Sequence, residues 1–194
     1  SLVGSEMCIR DSIQSTTSHE FIIVQAKKTF FEMVEHRQMF PSPKNRQCTS
    51  DLKRGPIAKK VIELCNKRGF DKVLNCMGLR AEESLGRAKK EVFRQIESGS
   101  NTKRTWYEWL PIHKKTTEEV FCLIEKFGQK PHWAYEAGMT RLSCCFCIMA
   151  SREDLKTAKR LMPDLYKRYA DTERRINHTM SMPVKGERKF LDEL

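Results

Sequence analysis

A chain of 194 residues, 39% hydrophobic and 31% charged, is long enough to bury one sizeable core and too well mixed in sign for a disordered polybasic tail. Lys and Arg number 36 against 25 Asp and Glu, a net charge of +11, so a folded, basic protein is expected. No window reaches the roughly 18 consecutive apolar residues of a membrane span, and no Lys/Arg-led apolar signal segment opens the chain; a cytoplasmic protein without a membrane partner is the reading.

Residues 1–12 have no helical or strand period and resemble translated sequencing-adapter text, so they are set aside as a non-native leader. From Glu20 to Arg37 the pattern reads as a short strand at Phe21–Val24 and then a helix carrying Phe30, Phe31 and Val34 on one side. Two prolines and an Asn make Phe40–Asn45 a turn. Thr49–Lys67 reads as a helix with Ile57, Val61, Leu64 and Cys65 on its apolar face, with Pro56 in its early part or at its true start, and Gly69 stops it.

Lys72–Met77 has the pattern of a buried strand, and Ala81–Ile96 returns to a helical period. Trp106–Ile112 is a further strand candidate. Thr116 and Glu119 form a capping box that opens a helix closed by Gly128. Leu142–Met149 is the last strand candidate, helices follow at Arg152–Leu161 and Pro163–His178, and a polar tail runs over Pro183–Arg188. This alternation predicts an α/β fold with a domain over 13–151 and a helical extension over 152–194.

Eight cysteines occur, three of them within Cys144–Cys147, in a long Lys-rich chain unlike a small disulfide scaffold. Cys65, Cys76 and Cys122 sit in apolar patterns and are expected to be inert core residues. Cys144 and Cys147 form a Cys-x-x-Cys pair, whose thiolates converge on one metal or iron-sulfur cluster when distant ligands close the site. Cys48 is the obvious distant partner, with Cys145, His132 or Cys122 as the fourth. Redox chemistry, with Arg141 lowering a thiol pKa, is the alternative use.

Positive charge gathers beside these thiols. Between Pro41 and Phe70 eight basic residues face Asp51 and Glu63 alone, a local charge of +6. A basic turn opening a helix suits phosphate or sulfate, and Arg46 and Lys53, flanking Cys48, are the best candidates. A second cluster, Gly78-Leu-Arg80-Ala-Glu82-Glu83-Ser84-Leu-Gly-Arg87, follows a strand and enters a helix, where open α/β sheets bind ligands. Arg80 can grip an oxyanion bidentately while Glu82 and Glu83 hold arginines in place; a capped, salt-bridged helix start is the equal alternative.

In order along the chain, Arg46-Gln-Cys48-Thr49-x-x-Leu52-Lys53-x-x-Pro56, Gly78-Leu-Arg80-x-Glu-x-Ser84-x-x-Arg87, Trp109-x-Pro-Ile112, His132–Gly138 and Ser143-Cys144-x-x-Cys147 resemble the phosphoadenosine-phosphosulfate reductase family. The resemblance implies a Rossmann-like, adenine nucleotide α-hydrolase-like domain, a parallel sheet between helices, acting on an adenosine phosphosulfate or on ATP. It implies nucleotide or anion binding by Arg46, Thr49, Lys53, Arg80, Glu83, Ser84, Arg87 and Arg141, and a 4Fe-4S cluster on Cys48, Cys144, Cys145 and Cys147, with zinc as the alternative.

The family's Ser-Gly-Gly-x-Asp-Ser phosphate loop and its first strand do not occur in the sequence, and are expected upstream of residue 13; the C-terminal Glu-Cys-Gly motif is likewise missing. The family's iron-sulfur branch has its cysteine doublet early and Cys-x-x-Cys late, whereas here Gln47-Cys48 is early and Cys144-Cys145 late. Related phage and DNA-sulfur-modification proteins make a thiol reductant or a nucleic-acid-modifying protein the expected partner. A zinc-stabilised basic nucleic-acid-binding module is the rival function. The enzymatic reading requires the thiols near 48 and near 145 to meet, next to guanidinium groups able to receive an oxyanion, with Arg80 not turned toward bulk water.

Overall fold

The computed structural model describes residues 14–181 and 189–193. The leader expected over 1–12, and the polar tail expected over Pro183–Arg188, lie outside the described residues. The chain forms two compact units, Ser1–Lys60 with His132–Leu194, and Val61–Pro131.

In the first unit, helix α1 (Phe30–Arg37) begins where Thr29 accepts from the Glu32 amide and Glu32 returns the bond to Thr29, and it ends at Gln38 in a left-handed conformation. Phe31, Met33 and Val34 are its buried face. The strand expected at Phe21–Val24 does not form; those residues are irregular. With no paired strand in this unit among the described residues, the run Phe-Ile-Ile-Val has no ladder to join.

The turn after Phe40 is closed by the Ser42 amide donating to Asn45 O. Next come α2 (Gln47–Thr49), a π-helical turn (Ser50–Arg54) and α3 (Gly55–Arg68). The wide turn has a cause in Pro56, whose ring crowds the carbonyl four residues back, and the Gly55 amide instead reaches Ser50 O. A Cβ at Gly55 would stand 3.0 Å from that carbonyl oxygen.

Helix α7 (Arg152–Leu161), capped by Ser151, and α8 (Pro163–Ile176), opened by proline at its first turn, complete the unit close to where periodicity placed them. Their apolar faces join α1 in a core of Phe31, Val34, Phe40, Phe146, Tyr169 and Ile176. Tyr169 is the hub, with ring centroids 4.9 Å from Phe31, 5.1 Å from Phe146 and 5.4 Å from Phe30. Burial of each such ring contributes about 1.5–3 kcal/mol. Glu173, fully buried, accepts from the Thr179 hydroxyl at 2.9 Å and from the Met180 and Leu191 amides at 2.6 and 2.5 Å, tying the chain end to α8.

The second unit holds a three-stranded sheet of β1 (Lys72–Cys76), β2 (Phe93–Asn101) and β3 (Arg104–Trp109), in the order β1-β3-β2. β1 runs parallel to β3, with Leu74 opposite Tyr107, while β2 runs antiparallel to β3, with Phe93 opposite Trp109. The fold is therefore α/β, but its sheet is mixed, which corrects the expectation of a parallel one.

The second correction explains the first. Ala81–Ile96 is not one helix: a 3₁₀ turn (Ala81–Glu83) and a single turn α4 (Leu85–Ala88) give way to β2. Leu85, Ala88, Val92 and Ile96 fall at helical spacing, which masked a hairpin turning at Asn101–Lys103. Gly99 is required in that hairpin, because a Cβ there would lie 2.9 Å from the Trp106 ring. Helix α5 (Thr117–Lys126) has the expected capping box of Thr116 and Glu119.

Leu142–Met149, expected as a strand, consists of turns and bends, and lies outside the sheet-bearing unit. Of the three cysteines expected in the core, Cys65 is buried, but Cys76 and Cys122 are exposed. β1 exposes alternate residues and α5 buries none, so their apolar patterns do not report burial.

Candidate functional site

The thiol loop is built on the aromatic core. Phe146, 2% exposed, plugs into that core against Tyr169, and this fixes Cys145 and Cys147 on either side of it. The Arg141 guanidinium donates to Met149 O at 3.4 Å across the loop, and the Ser143 hydroxyl donates to Cys144 O at 3.0 Å. Asp154, buried at the start of α7, accepts from the Thr140 amide and hydroxyl at 2.7 and 2.9 Å, holding the loop's entry. Hydrogen bonds from Thr140 and Ser151 outweigh burial and keep this carboxyl below its ordinary range.

Cys48 comes to the same place from α2. Burial raises its thiol, the charges of Cys144 and Cys147 raise it further, and the Thr49 hydroxyl and Lys53 ammonium oppose without prevailing. Lys53, on the π-helical turn, donates from Nζ to Cys144 Sγ at 3.6 Å across 91 residues of sequence. The Met149 amide donates to Cys147 Sγ at 3.4 Å. Lys53 and the Met149 amide thus direct hydrogen bonds at Cys144 and Cys147. Cys145 differs: burial and the neighbouring Cys144 charge push its thiol up to about 11.

The two thiol regions therefore meet, and among the described residues the cation bonded to a thiol there is the Lys53 ammonium, where a guanidinium was expected. Arg46 and Arg141 are exposed at the edges of their segments, and Thr49 is half-buried beside Cys48. Cys122 is exposed on α5, and the His132 ring accepts from the Ala134 amide, capping the short helix α6 (Trp133–Glu136).

The second candidate cluster is a turn in the sheet-bearing unit. The Met77 amide donates to Trp109 O and the Ala81 amide to His113 O, so the turn follows β1 alongside β3. The Arg80 side chain, 16% exposed, pairs with Glu82, lies 3.9 Å from Glu83 Oε1, and donates to the Thr117 hydroxyl at 3.0 Å. Arg87 pairs with Glu83, and Ser84 caps α4 by accepting from the Arg87 amide. Glu82, bonded to Thr117 and Arg80, is held below its ordinary range. These arginines are clamped by carboxylates, a geometry common to a preorganised anion site and a salt-bridged helix start.

Among the described residues no three His, Cys, Asp or Glu side chains converge closely enough to hold a single metal ion. The donor set of four thiols, with an ammonium, a hydroxyl and an amide directed at them, suits an anionic, sulfur-rich group. Sequence reasoning missed Thr117, Asp154 and Tyr169. Ser151-x-x-Asp154 signals a helix cap and so could have found Asp154; nothing local marks Thr117 as the partner of Arg80 and Glu82, or Tyr169 as the core ring beneath Phe146.

The family model described as "Phosphoadenosine phosphosulfate reductase domain" matches residues 6–150. An "Uncharacterized 37.8 kDa protein in gpa 5'region" of Escherichia phage 186 is 31% identical over 147 residues, 76% of this chain and 43% of that protein. The chain thus spans less than half the length of this curated relative.

Proposed function

The chain belongs to the phosphoadenosine phosphosulfate reductase domain family, and from that premise we propose that it binds an adenosine phosphosulfate or ATP and acts in sulfur chemistry on that nucleotide, as a PP-loop enzyme. In the first unit Arg46, Thr49, Lys53 and Arg141 are the candidate ligands of a phosphate or sulfate, and in the second unit Arg80, Glu83, Ser84 and Arg87 are a separate candidate cluster for the nucleotide's oxyanions. The four cysteines Cys48, Cys144, Cys145 and Cys147 hold a 4Fe-4S cluster. The observation that carries this reading is the convergence on Cys144 of Lys53 and Cys48, from a segment about 90 residues away.

When bound, the cluster supplies a redox-active, anionic sulfur body beside the substrate. The chain's own residues then have separable tasks. The Lys53 ammonium neutralises one thiolate and is a cation for the substrate's oxyanion, and Arg80 offers a planar face fixed in place by Glu82 and Glu83. Phe146 and its aromatic neighbours keep water from the inner side of the thiol loop. A cluster takes one thiolate per iron, so its ligands surround a volume and need not touch one point.

Anaerobic purification with assay of iron and acid-labile sulfide, followed by calorimetric titration with adenosine phosphosulfate, phosphoadenosine phosphosulfate and ATP, tests the reading. Expected are a brown protein with about four irons and selective nucleotide binding. A colourless protein with stoichiometric zinc, and affinity for nucleic acid that falls steeply with salt, would instead establish the zinc-stabilised nucleic-acid module.

A further inference from the structure

Glu83 lies 3.9 Å from Arg80 and pairs with Arg87. It belongs to the same turn as both arginines, so it sets the two guanidinium groups relative to each other and not relative to the sheet. A tie to the sheet comes from His113, which is 6% exposed. Its carbonyl accepts at 2.8 Å from the amide of Ala81, the neighbour of Arg80, and its ring Nε2 lies 2.9 Å from Arg87 O.

The base on which His113 stands is itself anchored. Leu110, fully buried just after β3, donates its amide to Val92 O at the head of β2 at 2.8 Å, and its carbonyl accepts from the His113 amide at 3.1 Å. A carbonyl oxygen can only accept, so the ring nitrogen facing Arg87 O carries the hydrogen, and His113 is an Nε2–H donor. One residue thus braces the arginine turn at both of its ends, by its backbone at residue 81 and by its ring at residue 87.

We propose that His113 is a positioning residue for the Arg80 and Arg87 cluster, setting the spacing at which the two guanidinium groups meet an oxyanion of the nucleotide. This rests on the reading of that cluster as a nucleotide site. A guanidinium binds an oxyanion best through two parallel hydrogen bonds, so its contribution depends on direction as much as on charge. The imidazole acts through the backbone of Arg87, and the arginines carry the anion.

The test compares the wild-type chain with His113→Leu, which keeps bulk and loses the donor, and His113→Gln, whose side-chain amide offers an N–H in place of Nε2–H. Each is titrated calorimetrically with adenosine phosphosulfate and with ATP at a temperature where circular dichroism shows it folded. Expected are affinity about tenfold weaker in His113→Leu, the effect of one hydrogen bond, and recovery to within about threefold of wild type in His113→Gln. Wild-type affinity in His113→Leu, or no recovery in His113→Gln, overturns the role of His113 and leaves the nucleotide site standing. A wild type that binds neither nucleotide overturns that site, and this inference with it. If His113→Leu does not fold, nitrogen-15 spectra of the wild-type imidazole decide. An Nε2–H tautomer whose resonance shifts on adding the nucleotide supports the role, and an Nδ1–H tautomer or an unmoved resonance overturns it.

Discussion

The thiol loop and the Arg80 turn are both rich in charge, yet they are held by opposite means. The loop hangs from an apolar pillar, Phe146 and Tyr169, and its polar groups, the thiols and the Lys53 ammonium, are what the packing leaves over. The turn is held by its charges themselves: Arg80 and Arg87 are fixed by Glu82, Glu83 and Thr117, and the nearby backbone follows β3. Substitutions in the loop's apolar support should therefore cost stability, whereas those of its charges should cost function. In the turn the two effects should come together.

The largest expected effect is Phe146→Ala, a loss of about 3–5 kcal/mol read by urea denaturation, because it empties a buried ring site under the loop. A loss below about 1 kcal/mol would mean that the loop does not depend on that pillar. Glu173→Gln comes next, about 1–3 kcal/mol, since an amide cannot accept at both former oxygens and leaves a buried amide opposed by a donor.

Glu173 also carries a pH signature. Burial raises its carboxyl above the ordinary 4.5 against the pull of its three hydrogen bonds. The folded protein thus holds that proton more tightly than the unfolded chain, so its contribution to stability is greatest below about pH 4.5 and declines as pH rises through the folded value. Denaturation midpoints across pH 4–7 should show a component of that sign in the wild type, and lose it in Glu173→Gln.

Arg80→Met should lower stability by about 1–2 kcal/mol through unpaired carboxylates, and weaken nucleotide binding as well. Thr116→Ala, which removes the α5 cap in the same unit, should cost about 1 kcal/mol without changing nucleotide affinity. Lys53→Met is the smallest in stability, within about 0.5 kcal/mol, yet should weaken sulfonucleotide affinity about tenfold in calorimetry, equivalent to about 1.4 kcal/mol. A Lys53→Met protein that melts like Phe146→Ala would erase the distinction between the two regions.

Legibility in the sequence followed the same division. Elements announced by local chemistry were readable: the Thr116 capping box, Pro163 at the head of α8, and the apolar run of β1. Thr29-x-x-Glu32 was an equally clear start for α1, passed over because apolar residues upstream extended the period. β2 was hidden because Leu85, Ala88, Val92 and Ile96 mimic a helix, and only Gly99 and Asn101 marked the hairpin. Leu142–Met149 has a strand's composition but no neighbour to pair with.

At the site, spacing led to the cysteines and to Lys53, because each stands in a motif. Tyr169 could not be found that way. Its place beside the thiols follows from the packing of α8 on α1 and on Phe146, a long-range arrangement that no single stretch of residues encodes.

The Ser50–Arg54 turn has one last consequence. Closing its bond five residues back instead of four winds the chain more slowly there, which sets the direction in which Lys53 leaves the helix axis. Rewinding those residues to regular α-helix would swing the lysine round by about 100° for the one residue gained. Pro56 is thus the setting screw of the ammonium's bearing, acting at a distance on a charge it never touches.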